Sequence, residues 1–412
     1  MAAHAAPALS LPRPVSQAHA RTYRSHAIAA GIVGLCTPLQ LEFGGILYAS
    51  EALLALLAVW VLATRLMDAQ FWRPPFTRLM LALGVTILAY IVTDMALGTE
   101  TQNLLRGWAR PIFLGTNLAG LYFLCRRNPL NLLIYAVASA AASAAFLAVN
   151  ARLLEDWKFG LSGPVTILIA CLIPVLVPRG VLVGSFALTA VGLLHLALDS
   201  REIGGNCLLA GALLTARCLS LLHWKSISWV LLAGIAAIAI GLFLWAYVLT
   251  DAEYSQRRHF SNAWRTASLV TAAGAIAESP WLGNGSQTNN FALQSRFDSI
   301  FADRTGVRYR GQQTDTSTFS PHSQILQAWF EAGVFGTAFF VYLGATVSAA
   351  LYFCIFRRRL DAFSVLFAFS LMRAIWHLLF SPFAGMARLD VALAGAIVCV
   401  IGIERRSGAR QS

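Results

Sequence analysis

Residues 77–97 read TRLMLALGVTILAYIVTDMAL, an apolar run long enough to cross the hydrocarbon core of a bilayer as one helix. Comparable runs recur between residues 26 and 403. Charged residues make up 12% of the 412-residue chain, about half the fraction of a typical soluble domain. Backbone groups inside lipid must hydrogen-bond to one another, so runs of this length should be helices. The sequence therefore predicts an all-α polytopic membrane protein.

The predicted spans number about twelve, and the arginines between them orient the chain. We predict spans at roughly 26–42, 44–66, 77–97, 104–125, 129–148, 162–178, 180–198, 205–222, 226–250, 333–356, 361–380 and 387–403. With the N-terminus in the cytoplasm, every cytoplasmic loop is basic, as the run 357–359 illustrates. An even span count also keeps the basic C-terminal tail inside. These loops account for the net charge of +12, so we expect no nucleic-acid partner.

One polar loop divides the chain into three parts: helices in 1–250, a large outer loop in 251–322, and further helices with a basic tail in 323–412. Loops of this length are usually functional. Its residues 261–278 predict an amphipathic helix with Ala263, Trp264, Ala267, Val270 and Ile276 on one face. Residues 278–285 are rich in turn formers. Ser320 and Pro321 predict the start of a helix whose first turn contains His322, and Gly333 and Gly336 predict a break or close packing before the next span.

Several ionisable residues are predicted to lie on the outer side, where each is a candidate for function. They are Arg106, Arg110, Arg201, Arg265 and His322. Arginine side chains match phosphate oxygens, and a neutral histidine accepts a proton from a hydroxyl group. Together they suit an anionic ligand such as a lipid phosphate or pyrophosphate. Taken singly, each also has an ordinary structural explanation, for example pairing of Arg201 with Glu202.

Two further pairs near the outer ends of spans favour structural roles. Arg373 and His377 are four residues apart and are expected to pair with neighbouring helices. Arg388 and Asp390 are expected to pair with each other at the membrane interface.

The sequence contains none of the common metal or nucleotide motifs. It lacks Asp-x-Asp, HExxH and P-loop patterns, and its seven cysteines include no CxxC pair. We therefore expect no metal site and no cofactor. A reaction catalysed by this chain would have to use a substrate that is already activated.

Three stretches resemble the O-antigen ligase and polymerase superfamily. Residues 321–336, PHSQILQAWFEAGVFG, look like its His-Asn/Ser-x-x-Leu…Glu-x-Gly-x-x-Gly signature. Arg265 followed by ESPWLGNG at 278–285 is similar to its Arg…Glu-x-Pro-x-x-Gly-x-Gly pattern. Ser200-Arg201 before a span is similar to its Ser-Arg element. This chain departs from the family pattern at Ser323, where asparagine is commoner, and at Glu202, where glycine is usual.

The resemblance implies a GT-C-like bundle with one large periplasmic loop, in the inner membrane of a bacterium, with both termini cytoplasmic. It implies a metal-independent inverting glycosyltransferase that moves a glycan from undecaprenyl pyrophosphate to a sugar hydroxyl of lipid A–core. His322 would be the general base, and Arg201 and Arg265 would hold the pyrophosphate. The remaining candidates for substrate contact are Arg106, Arg110, Gly283, Gly285, Gln324 and Arg388.

Three alternatives stay open at this stage. An O-antigen polymerase would extend the glycan on its lipid carrier, and a protein O-oligosaccharyltransferase would attach it to protein. A transporter of an anionic lipid belongs to another functional class. It predicts helices broken near the bilayer midplane.

Overall fold

The computed structural model describes residues 17–42, 46–65, 67–69, 71–149, 157, 160–198, 200–219, 252–287, 291–307, 321–381 and 385–409. The span predicted at 226–250 and the residue Ser320 lie outside these ranges.

The described part is almost entirely helical, which confirms the all-α prediction. Its elements are α1 (Gln17–Leu35), β1 (Gln40–Glu42), β2 (Ile46–Tyr48), α2 (Ala49–Arg65), α3 (Phe76–Leu97), α4 (Thr101–Cys125), α5 (Leu130–Val149), α6 (Ser162–Leu176), α7 (Gly180–Ala197), α8 (Arg201–Cys218), α9 (Ala252–Glu278), α10 (Phe291–Thr305), α11 (Gln324–Gly336), α12 (Ala338–Phe356), α13 (Ser364–Phe380) and α14 (Ala387–Ala409).

Four of these helices, α3, α5, α7 and α12, are both long and apolar enough to cross a membrane. The helices α6 and α13 are apolar but shorter. Others, such as α4 and α8, carry polar residues that pack inside the bundle, as Asn117 and Asn206 do. The total of twelve spans stays a prediction.

The first predicted connection between spans is wrong. The spans predicted at 26–42 and 44–66 leave almost no room between them, but α1 ends at Leu35 and α2 begins only at Ala49. Between them β1 and β2 pair antiparallel, with Gln40 opposite Tyr48. Pro38 explains the early end of the helix, because a proline lacks the N–H that helix continuation requires.

The helices α7 and α8 form a tightly packed pair that fixes the position of Arg201. A Cβ added to Gly192 or Gly204 would lie about 3 Å or less from atoms of the facing helix, so only glycine allows this approach. The Ser200 nitrogen donates to the His195 carbonyl at 2.7 Å, and α8 then begins at Arg201. The chain therefore turns sharply, and Arg201 occupies the first position of α8.

The helices α9 and α10 pack against each other. The predicted amphipathic helix is part of α9, which begins nine residues earlier, at Ala252. Its Ala263 and Ala267 are buried against Phe297 and Phe301 of α10. The predicted face was wrong at Val270, which is 44% exposed.

Candidate active site

The two glycine-containing motifs bind each other through their backbones. The Asn284 nitrogen donates to the Phe330 carbonyl at 2.8 Å, and the Gly285 nitrogen donates to the Glu331 carbonyl at 3.0 Å. In the other direction, the Val334 nitrogen donates to the Pro280 carbonyl at 3.0 Å. We call this arrangement of residues 280–285 and 330–334 the motif junction. It joins the end of α9 to α11, so the two motifs form one structural unit.

Glycine is required on both sides of the motif junction. Gly283 has a φ of 83°, and a Cβ there would come within 2.7 Å of the Glu331 carbonyl carbon. Gly333 has a φ of 66°, and its Cβ would overlap the Trp281 carbonyl oxygen. The unusual backbone at Ala332 and Gly333 interrupts α11, which confirms the predicted break. Gly285, with a φ of 87°, continues the same turn.

A stripe of polar residues on α3 anchors the motif junction. Tyr90 donates to the Glu331 carboxylate at 2.9 Å, and Thr93 donates to the Leu282 carbonyl at 2.6 Å. Asp94 accepts from the backbone nitrogen and the hydroxyl of Ser286, both at 2.7 Å. The sequence carries one signal of this stripe, which is the helical spacing of the polar residues within an apolar span.

The same carboxylate of Asp94 links α3 to α4. It accepts from the Trp108 indole nitrogen at 2.7 Å and from the Thr99 hydroxyl at 2.9 Å. Gly107 lies directly against Ser286, where a Cβ would overlap the serine hydroxyl. The turn after the motif junction is therefore clamped between two helices.

Arg110, a predicted substrate contact, lies beside the motif junction and pairs with Glu331. Its Nη1 is 3.0 Å from the Glu331 Oε1, and the glutamate is 1% exposed. Glu331 also accepts from the Gln327 side chain at 3.2 Å and from the Gln287 nitrogen at 3.3 Å. The buried carboxylate is thus surrounded by donors. Arg106 lies one turn earlier on the same helix and is partly buried.

His322 lies immediately before α11, and not in its first turn as predicted. The helix begins at Gln324, with Ser323 as the N-cap residue, whose hydroxyl accepts from the Leu326 nitrogen at 3.4 Å. The predicted start at Pro321 is therefore wrong, because Ser323 provides the capping hydroxyl. The Ser323 hydroxyl also donates to the Leu378 carbonyl of α13 at 3.3 Å.

The electrostatic environment of His322 favours its neutral form. Its partial burial lowers the pKa of the imidazole below the ordinary value, and the positive charge of Arg265 lowers this pKa further. Arg265 lies on α9 with its side chain exposed. Two of the three predicted catalytic residues are therefore close enough to interact electrostatically. The adjacent Gln324 is 1% exposed, and its Oε1 makes no hydrogen bond within the described part of the chain.

A cluster of four ionisable residues lies where α8, α13 and α14 meet. Arg373 pairs with Asp390 at 3.0 Å. The two nitrogens of His377 lie 3.5 Å from Asp390 and 3.6 Å from Glu202. We call these residues the ionic cluster. Glu202 directly follows Arg201, so the cluster adjoins the third predicted catalytic residue. Pairing of Arg373 and His377 with neighbouring helices was predicted.

Arg388 pairs with Glu51 and not with Asp390 as predicted. Its Nε and Nη2 donate to the two carboxylate oxygens of Glu51, each at 2.7 Å. Glu51 is fully buried and also accepts from the Asn117 side chain at 3.0 Å. The sequence could not reveal this partner, because it lies 337 residues away along the chain.

A family model described as O-antigen ligase matches residues 106–341, more than half of the chain. The chain belongs to the O-antigen ligase family. The matched region contains the motif junction, Arg201, Arg265 and His322, and it confirms the resemblance found in the sequence. No curated protein matches the chain.

Membership in the O-antigen ligase family, together with the apolar helices, identifies a multi-pass membrane protein related to lipopolysaccharide synthesis. The family also identifies lipid-linked glycans and membrane lipids as its classes of partner. Among the described residues, no three His, Cys, Asp or Glu side chains are arranged to hold a metal ion.

Proposed function

We propose that this protein is an O-antigen ligase that transfers a glycan from undecaprenyl pyrophosphate to a sugar hydroxyl of lipid A–core. The reaction would take place at the periplasmic face of the inner membrane and would need neither a metal ion nor a cofactor. The observation that carries the proposal is the pair formed by His322 and Arg265, in which the charge of the arginine acts on the imidazole.

His322 has the properties of a general base. Its lowered pKa keeps the imidazole neutral near pH 7, which is the form that can accept a proton. In the proposed step, the acceptor oxygen forms a bond to the anomeric carbon of the donor sugar, and its proton passes to His322. The bond from that carbon to the pyrophosphate oxygen breaks at the same time. Attack from the opposite face inverts the configuration.

Arg265 and Arg201 are proposed to bind the pyrophosphate and to stabilise the charge that grows on it as it leaves. Arg265 is exposed on α9, and its charge already acts on His322. Arg201 is the first residue of α8, a helix of 18 residues whose free N–H groups also favour an anion. The two cations are thus contributed by separate elements.

The remaining predicted substrate contacts divide into two groups. Arg110, Gly283 and Gly285 are engaged within or beside the motif junction, and Arg388 is engaged with Glu51. For these four residues we propose that any effect on activity comes through positioning. Gln324 remains a proposed contact, because its buried side-chain oxygen makes no hydrogen bond within the described residues. Arg106 also remains a proposed contact.

The proposal is tested by mixing purified protein with undecaprenyl-pyrophosphate glycan and lipid A–core, with a chelator and without nucleotide. We expect glycan to appear on lipid A–core. His322→Ala should fold normally and lose transfer by a factor of about 100 or more, the usual contribution of a general base. Arg265→Ala should reduce transfer strongly, whereas Arg304→Ala, an exposed arginine of α10, should leave it unchanged.

Each other outcome selects a different function. Lengthening of glycans on the lipid carrier would identify a polymerase, and transfer to protein would identify a protein O-oligosaccharyltransferase. Full activity of His322→Ala would remove the base assignment. Binding of the donor without transfer to any acceptor would favour an anionic-lipid transporter. Equal effects of Arg265→Ala and Arg304→Ala would mean that Arg265 contributes only to the overall positive charge of the loop and does not bind the donor specifically.

A further inference from the structure

A cavity of about 250 Å³ lies among α5, α6, α13 and α14, beside the β1–β2 hairpin. It lies towards the C-terminal ends of α5 and α13 and the N-terminal ends of α6 and α14. At the same end of α13, Leu378 accepts a hydrogen bond from Ser323, the residue that follows His322. The volume lies just below the range of about 300–1,000 Å³ that is usual for ligand pockets, so it suits a small ligand such as a single sugar ring.

The lining of the cavity combines hydroxyl groups with apolar walls. Its hydroxyl-bearing residues are Tyr48, Tyr135, Ser139, Ser143 and Ser162, and Phe146 contributes an aromatic ring. A sugar also combines polar and apolar surfaces, since its hydroxyls form hydrogen bonds and the C–H groups of its ring pack on apolar side chains. Binding sites with apolar walls and a few placed polar groups are typical for small ligands.

One charged residue at the edge of the cavity has an unsatisfied hydrogen-bonding atom. Arg373 and Asp390 both line the cavity, and the Arg373 Nη2 pairs with the Asp390 Oδ2 at 3.0 Å. Even so, the Arg373 Nε is buried and makes no hydrogen bond within the described residues. A buried donor of this kind is costly inside a membrane protein and calls for an acceptor. A ligand hydroxyl group can supply that acceptor.

The charges around the cavity favour a neutral ligand. The charge of Arg373 is balanced by Asp390, and Glu202 adds a further negative charge to the ionic cluster through His377. A phosphate would therefore find no excess positive charge. This distinguishes the cavity from the region of Arg201 and Arg265, to which the pyrophosphate is assigned.

Two helices of the cavity wall also carry surroundings of the proposed reaction centre. His377 of α13 lies 3.5 Å from Asp390 and directly precedes Leu378, whose carbonyl accepts from the residue next to His322. Ile203 of the cavity wall belongs to α8, the helix that begins at Arg201. The helices α8 and α13 therefore connect the cavity to the region of the proposed base and of one proposed pyrophosphate-binding arginine.

We propose that this cavity binds one neutral sugar residue of a substrate, with one of its hydroxyls accepting a hydrogen bond from the Arg373 Nε. The inference rests on the proposed function for the identity of the substrates. The sugar belongs either to the acceptor or to the donor glycan, and the same binding chemistry serves both. The experiments below separate these two sources.

The direct test is binding, which does not depend on activity. Methyl glycosides of glucose, galactose and mannose are titrated calorimetrically into the purified protein in detergent. Ser143→Phe places a ring in the cavity and should weaken glycoside binding at least tenfold. Ala145→Phe is the matched control, because Ala145 lies on the same helix, is exposed and does not line the cavity. It should bind as the wild type does.

The kinetic test identifies the source of the sugar. If the acceptor sugar occupies the cavity, Ser143→Phe should raise the KM for lipid A–core at least tenfold and leave the KM for the donor unchanged. If the donor glycan occupies the cavity, Ser143→Phe should instead raise the KM for the donor at least tenfold and leave the KM for lipid A–core unchanged. Tyr135→Phe, which removes one hydroxyl, should change the same KM in the same direction. It replaces Ser143→Phe as the test variant if Ser143→Phe does not fold.

Two results would overturn the inference. One is wild-type protein that binds none of the glycosides, and the other is a folded Ser143→Phe variant with unchanged binding and unchanged KM values. Failure of the proposed function is a separate result. If no transfer occurs with any acceptor, the glycoside titration with its Ala145→Phe control still decides whether the cavity binds sugar.

Discussion

Gly283 and Gly333 lie against each other so closely that a Cβ on Gly283 would come within 2.5 Å of the Gly333 nitrogen. The residues are 50 positions apart, and each has a positive φ. Their contact holds the end of α9 against the interrupted helix α11. The relative position of α9 and α11 therefore depends on two backbone segments that have no side chain at the point of contact.

Gly283→Ala should destabilise the protein and reduce transfer. Overlap with Gly333 and Glu331 should cost about 1–3 kcal/mol, as overpacking usually does. The left-handed backbone adds roughly 1–2 kcal/mol for a residue with a Cβ. The measurement is the Tm in detergent together with the transfer rate.

Gly306→Ala separates these two effects. Gly306 also has a positive φ, of 70°, but a Cβ there meets nothing within 4 Å. It should show only the smaller backbone penalty and keep its activity. Equal losses of stability in the two variants would mean that the close contact of Gly283 is unimportant.

Arg110→Ala should destabilise the protein by about 3–5 kcal/mol, because it leaves the buried Glu331 carboxylate without its cation. A residue that only contacted substrate would instead raise a KM at unchanged Tm. Thermal unfolding and transfer kinetics on the same sample distinguish the two roles.

The double variant Arg110→Met/Glu331→Gln provides the control. Removing both charges together should recover much of the lost stability, since the unpaired buried charge is gone. If stability stays as low as in Arg110→Ala, the ion pair is not the cause of the loss.

Arg388→Lys should lower the Tm less than Arg388→Ala does, yet should not restore the wild-type value. Lysine keeps the charge beside Glu51 but cannot donate two parallel hydrogen bonds to the carboxylate, as Arg388 does at 2.7 Å each. The wild-type Tm in Arg388→Lys would show that the paired geometry contributes nothing. Unchanged stability in both variants would return Arg388 to the list of substrate contacts.

The sequence predicted most of what depends on local pattern. Apolar runs of the right length predicted the helices, and turn-forming residues predicted the break at Gly333, because both effects act within a few residues. The apolar pattern did not predict where the first helix ends, near Pro38, because the apolar run continues past the last helical residue. It also gave the wrong cap for α11, since Ser320 and Ser323 both suit that role and the hydrogen bond from Ser323 to the distant Leu378 carbonyl favours the second.

Long-range partners could not be predicted from one sequence. Arg110 and Arg388 both satisfied the criteria for binding an anion, and each has a carboxylate partner more than 200 residues away. The two glycine motifs were recognised separately, but nothing in either one indicates that it binds the other. The roles of Tyr90, Thr93 and Asp94 are hidden in the sequence, because a few polar residues hardly change the hydropathy of a span.

The acid side of the pH profile should report the ionisation of His322 and the influence of Arg265 on it. His322 must be neutral to accept a proton, and both burial and Arg265 lower its pKa from the ordinary value of 6.5. Transfer by the wild type should therefore persist below pH 6.5 as the pH falls, and should decline only when the imidazole becomes protonated. In Arg265→Gln one of the two causes is removed, so the decline should begin at a higher pH. Burial is the larger cause, so the decline should still lie below pH 6.5.

The measurement is kcat/KM against pH for the wild type, Arg265→Gln and Arg304→Gln. The last variant removes an exposed arginine of α10 and should keep the wild-type profile, apart from any uniform change in rate. A decline that moves to lower pH in Arg265→Gln, or moves equally in both variants, would contradict a direct charge effect on His322. A profile that moves only in Arg265→Gln would link the residue to the titrating base itself, because loss of pyrophosphate binding alone lowers the rate without shifting the pH at which it declines.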